Sequence, residues 1–305
     1  MLKIIGIILG VATIWWLVIG YLIFVLSLKS RDTNSLFKKD SEKVKNIDLD
    51  CAKFYKQETI ISKDNISLNC HYSYYDEKNP WVICIHGYGG KATGMVEYAE
   101  MFRRLNLNVL SIDLRGHGES EGKYYTLGVC DSEDVVLWSK WLKEKFNANK
   151  IVLFGISMGG ATALMAAAKN SDLFSLIITD SAPSDFKQMF KRILKHRIGF
   201  ISSAFLPALS LFTKLLAKYN LNDAAANLHV SDISAPVLYI HGANDGLVPV
   251  DMMYELLDKT KCAKTKLVIS GADHTGAIHE DPVLYQNTIC NFLTEYGIIQ
   301  VNPDK

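Results

Sequence analysis

Ser157 stands between two glycines in Leu153-Phe154-Gly155-Ile156-Ser157-Met158-Gly159, where an apolar run passes into small helix-forming residues. Glycines on both sides suit a sharp turn where side chains would collide with neighbouring backbone. A serine on such a turn takes a strained conformation that pushes its hydroxyl outward. That hydroxyl is a weak nucleophile until a base removes its proton. Two downstream segments carry groups of the right kind. Asp245 lies in His241-Gly242-Ala243-Asn244-Asp245-Gly246-Leu247-Val248-Pro249, and His274 in Ser270-Gly271-Ala272-Asp273-His274-Thr275-Gly276. With serine as nucleophile, histidine as base and aspartate as orienting acid, the chemistry would be acyl transfer through an acyl-enzyme. The tetrahedral intermediates need hydrogen-bond donors for their oxyanion. One is expected to be the backbone N–H of Met158, at a helix start. The other should come from His86-Gly87-Tyr88-Gly89-Gly90, with the N–H of Tyr88 favoured. No metal and no organic cofactor is required.

Other residues compete for these roles. Asp180 also follows an apolar strand and could serve as the acid in place of Asp245. Asp273 adjoins His274, but its side chain should point elsewhere. His279 could replace His274, although a place at the start of the last helix would turn it to solvent. His241 and His117 read as residues that fasten loops by hydrogen bonds.

The elements that must position these groups alternate along the chain. Phe54–Ser62 and Ile66–Tyr75 alternate in polarity around the turn signal Lys63-Asp64-Asn65 and predict a β-hairpin. Short apolar runs follow at Trp81–Ile85, Asn108–Ile112, Ile151–Phe154, Leu176–Thr179, Val237–Ile240 and Lys266–Ile269. Helical patterns separate them: Glu97–Leu105, Asp131–Phe146, Met158–Lys169, Asp251–Leu257 and Pro282–Tyr296. Continuous apolar strands alternating with helices predict a mostly parallel eight-stranded sheet with helices on both faces. The loops bearing Ser157, Asp245 and His274 then open at one carboxyl edge, where such sheets place their sites. Almost sixty residues between Thr179 and Val237 contain no strand and form a helical insertion. Its first helix, 185–198, has Phe186, Met189, Phe190, Ile193 and Leu194 at helical spacing, with lysines and arginines opposite. Pro207 interrupts the apolar stretch that follows.

Taken in order, HGYGG at 86–90, DLRGHGESEG at 113–122, GISMGG at 155–160, PVLYIHGANDGLVP at 236–249 and GADH at 271–274 resemble the α/β-hydrolase superfamily. Within it the chain looks most like bacterial membrane-anchored serine hydrolases of the esterase/lipase and serine-aminopeptidase-like branch. The likeness covers roughly residues 54–297. It implies the α/β-hydrolase fold, with Ser157, Asp245 and His274 as catalytic triad, Tyr88 and Met158 as oxyanion donors, and residues 184–230 as a cap. Two features depart from the pattern. Thr275 stands where a glycine usually follows the histidine, and the cap matches no known specificity.

Charged residues make up 21% and apolar residues 49% of the 305, with a formal net charge of +1, so nothing points to nucleic acid as a partner. Ile4 to Leu28 is an uncharged run of 25 apolar, Gly, Thr or Ser residues. A helix of that length crosses a hydrocarbon core of roughly 30 Å, and the run exceeds the apolar region of about 7–15 residues in a cleaved signal peptide. Residues 1–30 are therefore expected to be a transmembrane anchor, 31–50 a polar tether and 51–305 the hydrolase domain. Lys29, Arg31, Lys38, Lys39, Lys43 and Lys45 outnumber Lys3 before the run, which favours a domain on the cytoplasmic side of a cell membrane. The cysteines at 51, 70, 84, 130, 262 and 290 lack paired metal spacing and suit free thiols.

Asp185 to Tyr219 holds seven Lys/Arg against one acidic residue. Such a basic amphipathic stretch could rest on an anionic lipid surface. Equally, its apolar side could roof the active site, with the lysines solvated. The expected activity is cleavage of carboxylic esters, including lipid or other acyl esters, with a small-molecule ester or lipid as substrate and the membrane as partner. A peptidase or amidase on short peptides, and a silent binding protein on the same fold, are the alternatives.

Overall fold

The computed structural model describes residues 1–30 and 55–300, so the whole of the expected tether, 31–50, lies outside the described residues. Helix α1 (Leu2–Leu28) comes first. Strands β1 (Lys56–Ile61) and β2 (Ser67–Ser73) form the expected hairpin. Then follow β3 (Trp81–Ile85), α2 (Val96–Arg104), β4 (Asn108–Ile112), α3 (Asp131–Phe146), β5 (Ile151–Ile156), α4 (Met158–Lys169) and β6 (Leu176–Asp180). The strandless insertion holds α5 (Phe186–Ile198), a 3₁₀ stretch (Phe200–Phe205) and α6 (Leu206–Leu216). The chain closes with β7 (Val237–Gly242), α7 (Val250–Lys259), β8 (Lys264–Ile269), α8 (Ala277–Glu280) and α9 (Pro282–Glu295).

The eight strands form one sheet in the order β1-β2-β4-β3-β5-β6-β7-β8. Only the β1–β2 and β2–β4 pairs are antiparallel. The central strands are buried on both faces, so each side of the pleat feeds its own core. Trp81, Ile83, Ile85, Ile151 and Leu153 pack with Trp138, Leu142 and Leu164 on one side. Val82, Cys84, Val152 and Phe154 pack with Tyr98, Phe102, Tyr285 and Ile289 on the other. This two-sided burial explains the unbroken apolar runs in the sequence. The connection after β3 leads to β4 on one side, whereas that after β5 leads to β6 on the other. The two loops diverge, and a crevice opens between the carboxyl ends of β3 and β5.

Two details differ from the sequence reading. Pro207 lies in the first turn of α6 rather than breaking a helix; there its missing N–H costs nothing and its fixed φ suits the helix. The expected last helix is preceded by the separate short α8, which carries His279; Asp281 caps α9 by accepting the N–H of Leu284 at 2.9 Å.

Candidate active site

Ser157 sits between β5 and α4 with φ 51° and ψ −119°. For a residue with a Cβ this is a strained conformation, worth about 1–3 kcal/mol, held only because its surroundings fix it. Its N–H donates to the Asp180 carbonyl at 2.7 Å, and its own carbonyl accepts from the N–H groups of Gly160 and Ala161. The flanking glycines permit close approach. A methyl on Gly155 would lie 2.2 Å from the Gly159 carbonyl oxygen, and one on Gly159 would lie 2.1 Å from that of Ile85. The strand, the turn and the helix start are thus pressed together until only glycine fits.

His274, on the loop after β8, places Nε2 2.9 Å from Ser157 Oγ. Its Nδ1 is 2.7 Å from Asp245 Oδ2, on the loop after β7. The other oxygen of Asp245 accepts from the N–H groups of Leu247 at 2.9 Å and Val248 at 2.8 Å. Burial pushes this carboxyl up, but hydrogen bonds from His241 and His274 and from the Val248 N–H outweigh it and hold the pKa well below the usual carboxylate range. An ionised Asp245 requires the proton of His274 on Nδ1, which leaves Nε2 to accept from the serine.

The structure brings Ser157, His274 and Asp245 together and places their rivals elsewhere. Asp180 is fully buried and accepts from Ser181 Oγ at 2.9 Å and Tyr285 Oη at 3.1 Å. Asp273 lines a separate small hollow beside His279 and Glu280. His279 is exposed and lies 3.6 Å from Glu97. His241 fastens its loop by donating Nε2–H to the Val248 carbonyl at 2.7 Å. His117 accepts the N–H of Gly89 at 3.2 Å.

Tyr88 and Met158 line a cavity of about 800 Å³ together with Ser157 and His274. Met158 is the first residue of α4, where an N–H has no partner within the helix and the dipole favours negative charge. The loop bearing Tyr88 is braced from below. The buried His86 accepts the N–H of Leu114 at 3.1 Å, and Asp113 accepts those of Ala92 and Glu119. Burial pushes the imidazoles of His86 and His117 down, so both stay neutral. Sequence reasoning gave Asp113 no role; its place just beyond β4, inside the quoted DLRGHG string, was the available signal. Phe186 and Met189 of α5, in the stretch expected either to roof the active site or to rest on lipid, line the cavity; Leu247, which lines it too, was given no role.

Among the described residues Cys70, Cys84, Cys130, Cys262 and Cys290 are free thiols.

A family model for the α/β hydrolase fold matches residues 80–200. The chain is 29% identical over 225 residues to the uncharacterized protein YqkD of Bacillus subtilis, covering 73% of each. It is 24% identical over 195 residues to the lysophosphatidylserine lipase ABHD12 of Danio rerio, covering 63% of this chain and 50% of that one. Among solved structures it resembles the esterase Pf2001 of Pyrococcus furiosus, with TM-score 0.67, 25% identity and coverage of 83% and 97%. The sheet order, the serine turn at the carboxyl edge and these likenesses together show that the chain has the α/β-hydrolase fold.

Proposed function

We propose that this protein is a serine hydrolase that cleaves carboxylic esters, with lipid or other acyl esters as its substrate class. One observation carries the reading: a single imidazole, His274, is hydrogen-bonded at once to Ser157 Oγ and to Asp245. As Ser157 attacks the ester carbonyl, Nε2 takes the hydroxyl proton and Asp245 balances the imidazolium charge. The carbonyl oxygen becomes an oxyanion between the N–H groups of Met158 and Tyr88. The tetrahedral adduct collapses, the proton passes from Nε2 to the departing alcohol, and an acyl-serine remains. Water then attacks with its proton going to Nε2, and the acid leaves as Ser157 is restored. Phe186, Met189 and Leu247 offer the acyl chain an apolar wall. The resemblance to an esterase and to a lipase supports ester over amide substrates.

The domain scheme belongs to the same proposal. Residues 1–30 anchor the chain as a single-pass helix, 31–50 link it to the hydrolase domain at 51–305, and 184–230 form the cap. The long apolar helix supports the anchor, and the lysines that follow it favour a cytoplasmic domain.

A fluorophosphonate probe tests the reading. Wild type is expected to be labelled and Ser157→Ala is not. Labelling that survives Ser157→Ala would assign the nucleophile elsewhere, and an unlabelled wild type would leave a silent binding protein. Parallel panels of graded-chain esters and aminoacyl amides separate esterase from peptidase.

A further inference from the structure

A helix leaves its last carbonyls without partners inside the helix. In α1 the hydrolase domain supplies two of the missing donors. Tyr88 Oη donates to the Ser27 carbonyl, and the Tyr125 N–H donates to the Leu28 carbonyl at 2.8 Å. The chain stays fastened one step further. The Ser30 N–H donates to the Lys123 carbonyl at 2.9 Å, and Ser30 Oγ donates to the Gly116 carbonyl. Phe24 and Leu28 are fully buried, and Gly20 meets Ala208 of α6 so closely that an added methyl would lie 2.3 Å from its Cβ. The expected tether therefore begins only after the helix end has been fixed to the domain.

The same contacts lead back to the active site. Tyr88 stands in the loop expected to supply an oxyanion donor, and its ring meets that of Tyr125 edge-on, 4.9 Å between centroids. Tyr125 stacks on His117 at 3.9 Å, and His117 Nε2 accepts the N–H of Gly89. The Tyr88-Gly89 segment is thus gripped on one side by the end of α1 and on the other by the Tyr125–His117 stack, to which that end is also paired. The reaction scheme above uses neither the Tyr88 hydroxyl nor Ser27.

We propose that the last turn of α1 is a positioning element for the oxyanion loop: the Tyr88 hydroxyl, seated on the Ser27 carbonyl, sets the backbone N–H of Tyr88 at the place where the oxyanion forms. Turnover then requires the membrane helix to be docked, not merely attached. The inference rests on the reading of Tyr88 as an oxyanion donor.

The test uses the full chain in nanodiscs, as wild type, Tyr88→Phe, Gly20→Leu and the double variant. Gly20→Leu wedges α1 away from α6 without touching Tyr88. Ångström-scale misplacement of a catalytic donor is worth up to about a hundredfold. Each single change is expected to lower kcat on a short soluble ester by about tenfold, with KM within about threefold. The double variant is expected to be no slower than the slower single, because both act through one contact. Fluorophosphonate labelling should slow in step, since the phosphoryl oxygen occupies the same donors. A purely structural role would lower Tm without this kcat-against-KM split. Tyr88→Phe with kcat within twofold of wild type overturns the inference, as do additive losses in the double variant. In that case a wild type that reacts at Ser157 still leaves the hydrolase reading standing. A wild type that takes no probe removes that reading, and this one with it.

Discussion

Replacing Asp245 with asparagine changes one atom, and the structure dictates which way the new amide must face. With its oxygen toward the Leu247 and Val248 N–H groups, at 2.9 and 2.8 Å, both donors stay satisfied. The reverse orientation sets an NH₂ against those two donors and leaves them buried without acceptors, at about 1–3 kcal/mol each. The first orientation is therefore preferred by about 2–6 kcal/mol, and it points the NH₂ at His274 Nδ1, 2.7 Å away. His274 Nδ1 must then accept, which moves the ring proton to Nε2, facing Ser157 Oγ at 2.9 Å. A base already carrying its proton cannot take another. At about 1.4 kcal/mol per tenfold, the tautomer alone removes most of the active population, and loss of the carboxylate charge adds to it. We expect kcat/KM for ester hydrolysis to fall about 10⁴-fold in Asp245→Asn. Tm should fall only by what the lost carboxylate charge contributed, because the loop keeps its acceptor. Asp245→Ala strips that acceptor and should lose Tm as well, at about 2–4 °C per kcal/mol for a domain of this size. Steady-state kinetics beside thermal melts read both effects. Asp245→Asn with kcat/KM within tenfold of wild type would refute the tautomer argument and, with it, the role given to Asp245.

Two further outcomes follow from the same geometry. Ser157→Gly and Ser157→Ala both remove the nucleophile, but only glycine is at ease at φ 51°, ψ −119°; the glycine variant should melt higher, by about 1–2 kcal/mol, and equal melting temperatures would mean that the turn holds no strain. Asp245 has a folded-state pKa below its unfolded value, so its contribution to stability is fully present above the unfolded value near 4 and is lost as pH falls toward the folded one. The stability gap between wild type and Asp245→Asn should therefore narrow from pH 5 to pH 3, and a gap that widens on acidification would contradict the sign of the shift.

Much of this site was legible in the chain because its determinants are local. Trp81–Ile85 and Ile151–Phe154 are apolar without interruption since both faces of the sheet are covered. Loops that follow such strands share one edge, so Ser157, Asp245 and His274 could be assigned to the same rim before any distance was known. What escaped depends on contacts between distant parts of the chain. Phe186 and Met189 read as a helical apolar stripe that could roof the site or rest on lipid, and nothing in that spacing decides between the two. Residues 1–30 read as an anchor, but the last turn of that helix could not be seen to land on Tyr88, 61 residues from Ser27, because a carbonyl that accepts a side-chain hydroxyl leaves no trace in residue type.

The second glycine of the serine turn shows why motif residues need not act where they stand. Ser157 bears the strained φ itself, so Gly159 is not there to relieve it. A methyl on Gly159 would lie 2.1 Å from the Ile85 carbonyl oxygen and 2.5 Å from that of His86, the last residue of β3 and the first of the loop that bears Tyr88. To reach an ordinary contact of 3.4 Å, α4 and that loop would have to part by about 1.3 Å. Met158 adjoins Gly159 and Tyr88 stands two residues past His86, so parting the helix from the loop also parts the two proposed donors. At this scale a donor displaced from the forming oxyanion loses about a hundredfold in rate. Gly159 therefore sets the width of the gap between helix and loop, and the serine between the glycines depends on it only because both proposed donors close on the same oxygen.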